Sequence, residues 1–183
     1  MPLFPPFASA VTVPGDNNYV GWSYDSSASV QSATILPTAG LLNLVRIRVM
    51  SSLVTNVHLH ITVPGATLTA DQCLAALFTA AGVLLAPTGN MATVWQGGGN
   101  HTMPLSSPQA TTFGAFHYVG FYANGSTLPT FSRALNSSSA INNPGLAAPN
   151  FRYATANSGL TTAMPASFGA QTGTATAWWA GVS

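Results

Sequence analysis

The stretch LNLVRIRVMSSLVTNVHLHITV, residues 42–63, decides the fold. Its apolar residues alternate. In the first half Leu44, Arg46, Arg48 and Met50 share one face, and Val45, Ile47 and Val49 share the other. In the second half Val57, Leu59, Ile61 and Val63 point one way, and His58 and His60 point the other. A period of two with β-branched residues is the mark of half-buried strands. Ser51 and Ser52 supply the turn between them.

Outward from this pair, Pro64 and Gly65 end the second strand. Thr69 as an N-cap, with Gln72 three residues on, predicts one short helical turn. In CLAALFTAAGVLLA, residues 73–86, the segment Thr79–Gly82 reads as a hairpin connection. A helix is the alternative, because Leu and Ala favour one; Gly82 and Pro87 argue against it. The segments ATVWQ, HTMPLSS, AFHYVGFYA, TLPTFSRA, NFRYAT and TATAWWAGV follow, short and separated by Gly, Pro, Asn and Ser. Residues 135–150 form a long loop without periodicity, a feature usually tied to function. Many short strands predict an all-β chain, an antiparallel β-sandwich of jelly-roll type over residues 41–183.

Residues 1–40 read as an extended proline-rich arm, since prolines at 2, 5, 6 and 14 oppose an early helix. Phe4, Phe7, Tyr19, Trp22 and Tyr24 are its candidate anchor and interface residues.

Charge is nearly absent. The chain holds four Arg and Lys residues together and three Asp and Glu, so charged residues make up 4% where about 25% is ordinary. Formal net charge is +1. Such a surface promotes association, which suits a subunit packed against copies of itself. Four scattered arginines, at 46, 48, 133 and 152, make no basic stripe for nucleic acid. The most apolar run is too short to span a bilayer, and no membrane role is expected. The N-terminus lacks a basic region and reads as a poor signal peptide.

Catalytic options are few. Glycoside hydrolysis needs two carboxyl groups at one bond, and only Asp16, Asp25 and Asp71 exist, two of them in turn sequences. No nucleophile elbow is present. Cys73 reads as a small core residue. His58 and His60 share a strand face and are the metal candidates, with His101 and His117 as possible additions; the competing reading is ordinary hydrogen bonding. No catalytic residue, metal or cofactor is expected. The sequons at Asn100, Asn124 and Asn136 read as turns. Trp95, Tyr153, Trp178 and Trp179 are candidate glycan platforms, although the adjacent tryptophans must face opposite sides of a strand, which makes at least one of them a core or interface residue.

The pieces LTADQCLAALF, FHYVGFYANGSTLPTF and the aromatic pair of TATAWWAGVS, taken in order with LVRIRV, resemble β-sandwich modules of actinobacteriophage minor tail proteins. The resemblance covers about residues 41–183. It implies a non-enzymatic structural protein at the virion surface, in the tail, a fibre head or a capsid decoration, and it supplies no catalytic residues. Its partners would be its own copies, with a trimer expected by analogy with fibres, and other virion proteins. The alternative is a module that binds a host surface glycan or receptor during attachment. On this reading residues 1–25 anchor the subunit, and loop 135–150 with the tips near 97–101 and 124–128 faces outward.

Overall fold

The computed structural model describes residues 12–29, 37–135 and 138–183. Among the described residues thirteen strands run in chain order: β1 (Gly21–Trp22), β2 (Leu42–Arg48), β3 (Leu53–Val63), β4 (Ala66–Leu68), β5 (Leu74–Thr79), β6 (Leu84–Pro87), β7 (Gly99–Ala110), β8 (Phe116–Tyr122), β9 (Gly125–Thr127), β10 (Thr130–Phe131), β11 (Tyr153–Ala156), β12 (Thr172–Gly173) and β13 (Gly181–Val182). All pairings are antiparallel. One sheet is ordered β12-β11-β2-β8-β5-β6. The other centres on β3, which pairs β7 along one edge and β13 and β10 along the opposite edge; β1 lies beyond β13. The chain crosses between sheets repeatedly, giving the β-sandwich that the alternation predicts.

The alternation places the core. Val45, Ile47, Leu77, Val119 and Phe121 from the first sheet meet Val57, Leu59, Ile61, Met103 and Phe131 from the second, all fully buried. Burying this apolar surface is the main force holding the layers together. Edge-to-face aromatic contacts tie it further. Phe131 lies 5.2 Å from Trp95 and 4.7 Å from Phe121, and Trp178 lies 6.1 Å from Phe121.

The first sheet is buried on its other face too, which the strand pattern did not foretell. Leu42 and Leu44, on the same face as the two arginines, are fully buried with Phe78, Tyr118 and Tyr122. The cover is the irregular segment 157–171, whose Met164 and Phe168 close over them. Phe168 stands edge-on to Phe78 at 5.5 Å and to Tyr118 at 5.2 Å. Backbone bonds pin this cover: Leu84 donates to Ala166 and Phe168 donates to Gly82. Gly120 has to be glycine, because a Cβ there would come within 2.6 Å of the Phe78 ring.

The hairpin over 74–87 forms, with the glycine at its turn, Gly82, at φ +90. Helix loses to sheet there because Leu74–Thr79 gains a ladder to β8 on its other edge. The helical turn at Thr69 does not form. Residues 69–72 make a tight turn, with Gln72 N–H donating to the Thr69 carbonyl and Asp71 at φ 58. Loop 135–150 holds a short helix, Ser139–Asn142, capped by the Ser138 hydroxyl. Asn100 sits in β7 and not in a turn, while Asn124 lies between β8 and β9; Asn136 is outside the described residues.

β7 is an edge strand that contains Pro104 and Pro108. A lone bridge between Thr88 and Leu105 links this edge to the end of β6. Proline lacks the donor that an inner strand needs, so an edge is where it is tolerated.

Candidate functional site

The described part of the expected arm folds back on the sandwich. Pro14–Asn17 forms one 3-10 turn, then β1 adds to the second sheet through β13. Tyr19, Trp22 and Tyr24 are therefore half-buried against their own domain. Phe4 and Phe7 lie outside the described residues.

This return builds a cleft of about 410 Å³ on the outer face of the second sheet. One wall comes from Asn17, Tyr19, Ser26 and Ser29. The floor comes from His60 on β3, Asn100 on β7, Ser132 after β10 and Trp179 before β13. Strand geometry explains the floor: residues two apart share a face, so His58 and His60 both point out of the core. Tyr19 ties wall to floor. Its ring stands edge-on to His58 at 4.8 Å and to Trp179 at 5.7 Å, and its hydroxyl accepts from Asn100 Nδ2 at 2.8 Å. Burial raises the Tyr19 pKa.

His58 and His60 do not assemble a metal centre. Among the described residues, no group of three His, Cys, Asp or Glu could hold an ion. Both His58 ring nitrogens are engaged, Nε2 with the Ser183 hydroxyl at 2.9 Å and Nδ1 with the Thr102 hydroxyl at 3.3 Å. His117 is on β8 in the other sheet. His101 bonds the Gly97 carbonyl at 3.0 Å. Arg46 and Arg48 also belong to the other sheet and do not join the histidines.

The expected glycan platforms are corrected by burial. Trp95 is 0% exposed and Trp178 2%, with Tyr153 and Trp179 equally enclosed. Trp95 Nε1 donates to Met103 Sδ, Trp178 Nε1 to Asn43 Oδ1 and Trp179 Nε1 to the Tyr24 carbonyl. Large rings cover the most apolar area, so a β-sandwich claims them for its interior. The adjacent pair does split, with Trp178 in the core and only Trp179 reaching a cleft. Sequence reasoning missed Asn17, Ser26, Ser29, Asn100 and Ser132 as cleft residues. These are common residue types far apart in the chain, and no local spacing marks them.

Two of the three carboxylates are occupied in local structure. Asp16 accepts from Val13 N–H at 3.0 Å, and Asp25 accepts from Ser27 N–H at 2.8 Å. The Ser27 backbone bond is the chief cause of the lowered Asp25 pKa. The Cys73 thiol is pushed up by burial, the opposite of what a nucleophile needs. The arginines spend donors on carbonyls: Arg46 on Asn150, Arg48 on Gly114 and Arg133 on Ala134. Arg46 also lies 4.1 Å over the Phe116 ring.

Burial carries a pH consequence. It pushes His58 from 6.5 down to about 4. Between those values the unfolded chain binds a proton that the folded chain refuses. Stability therefore falls as pH drops from 6.5 towards about 4, then levels off. The loss is at most about 3 kcal/mol. His60 and His117 shift downward as well, chiefly by burial, and add in the same direction. Urea midpoints at pH 7 and pH 4.5 check this. In His58→Gln the gap between the two midpoints narrows; an unchanged gap removes His58 from the account.

A scan of protein-family models gives no match for this chain, and a search of curated proteins gives none either.

Proposed function

We propose that this chain is a non-enzymatic structural subunit on the surface of a bacteriophage particle, held to its own copies and to other particle proteins through neutral contacts. The observation that carries the reading is a folded β-sandwich with almost no ionic side chains. Each contact between such subunits desolvates few ions, and that desolvation is the costly term in burying charge. Dispersed exposed apolar side chains, Phe113 at 67% and Ile141 at 69% among them, add area to such contacts. The reading is supported among the described residues by the local roles of the reactive side chains: Asp16 and Asp25 hold their own turns, the cysteine is buried, and His58 has both nitrogens bonded. Whether the place is tail, fibre or capsid, the assembly is taken to be a closed symmetric oligomer, a trimer by analogy with fibres.

The test is direct. Particles from the encoding phage are banded by density, and the chain is quantified by mass spectrometry. It is expected with the particles at a fixed ratio to the major capsid protein. A chain found only in the soluble fraction of the lysate overturns the reading.

A further inference from the structure

The cleft under Tyr19 is chemically uniform. None of its described lining residues is Asp, Glu, Lys or Arg. Its polar groups are amides, hydroxyls and one imidazole, from Asn17, Asn100, Ser26, Ser29, Ser132 and His60. Its ring surface comes from half-buried Tyr19; Trp179, 2% exposed, reaches the cleft only at an edge. Its volume, about 410 Å³, falls in the range of small-molecule sites, ~300–1,000 Å³.

Three ligand classes can be weighed on this lining. A charged ligand would leave water without a counter-ion, which is costly. A wholly apolar ligand would strip water from amides and hydroxyls and return no hydrogen bonds. A neutral polyhydroxylated ring meets both demands: its C–H face packs on an aromatic wall, and its hydroxyls pair with amides and hydroxyls. The lining has groups to spare for this. Asn100 uses one amide N–H on Tyr19, which leaves its second N–H and its Oδ1 for a ligand. His60 Nδ1 is shielded from solvent and makes no hydrogen bond among the described residues.

We propose that this cleft binds a neutral pyranose unit, a hexose or an N-acetylhexosamine, with Tyr19 as its ring surface and His60 and Asn100 as its hydrogen-bonding pair. The site differs from an open tryptophan platform. Its selectivity is for uncharged sugars, because its described lining offers hydrogen bonds but no charge to offset a buried carboxylate or ammonium. It stands apart from the particle assignment, so either can fail alone.

The experiment titrates the 15N-labelled full chain with methyl glucoside, methyl galactoside and N-acetylglucosamine, and with glucuronate and glucosamine as charged controls. Amide and indole shifts are followed up to about 50 mM sugar, enough to detect the millimolar affinities of weak ligands. At least one neutral sugar is expected to move the signals of Tyr19, His60, Asn100 and the Trp179 indole, with the charged sugars at least about tenfold weaker, a gap near 1.4 kcal/mol. His60→Ala and Asn100→Ala are each expected to weaken the binding neutral sugar about tenfold or more. Asn100 is exposed, so its variant keeps the test decisive if the His60 variant folds poorly. No response at these four residues to any of the three neutral sugars overturns the proposal. So do charged sugars that bind as well, or an affinity left unchanged in Asn100→Ala.

Discussion

A chain cut after Thr176 is expected to lose its cooperative fold. The seven residues removed carry β13, which joins β1 to β3. Their backbone is stitched on both sides. Val20 donates to Val182 and Ser23 to Ala180 on one side; Thr55 and Asn56 both donate to Ser183, at 2.7 and 2.9 Å, on the other. Ala134 donates to Ala177, and Trp179 N–H donates to Ser132. The cut also removes two buried tryptophans together with buried Ala177, Ala180 and Val182. Removing one large aromatic ring from a core costs about 3–5 kcal/mol, and a whole domain is stable by only about 5–15 kcal/mol. Two such losses, with an opened sheet, consume that margin. Circular dichroism during heating should show no sharp transition, and a hydrophobic dye should bind at room temperature. A truncated chain that melts cooperatively near the parent temperature overturns the expectation.

Trp178→Ala is expected to be the most damaging single substitution at the core centre. The ring is 2% exposed and lies edge-on to Phe121 and Phe131, one from each sheet, so it holds the layers together. Its removal leaves a cavity that rigid neighbours fill poorly, at a cost of about 3–5 kcal/mol. It also strips Asn43 Oδ1 of the indole donor at 3.1 Å in a buried place, a further loss of about 1–3 kcal/mol. For a chain of this length, that lowers the melting temperature by about 10 °C or more. Trp178→Phe keeps most of the packing and loses the hydrogen bond, so it should fall between the parent and the alanine variant. A calorimetric difference under about 1 kcal/mol for the alanine variant contradicts the role given to this ring.

The sequence carried the two central strands plainly, because only one alternating register puts Val57, Leu59 and Ile61 inside. The hairpin over 74–87 was visible through its glycine, and the split of Trp178 from Trp179 through strand geometry. Other parts were hidden for physical reasons. Segment 157–171 covers a sheet face with two side chains, Met164 and Phe168, and has no repeating pattern to read. The two-stranded ribbon of β4 and β9 joins residues far apart in sequence, which local propensity does not report. The glycan platforms were misplaced because an aromatic side chain looks the same in sequence whether it lines a groove or fills a core. The cleft was illegible for the opposite reason. Its parts are ordinary serines and asparagines, made into a site only by the return of residues 12–29 onto β3, β7 and the last strand.

The two prolines of β7 bear on how copies of this chain can meet. With no amide hydrogen at Pro104 or Pro108, that border cannot offer an unbroken row of donors to an incoming strand. A second molecule is thereby discouraged from zipping onto the sheet and seeding an open-ended fibril.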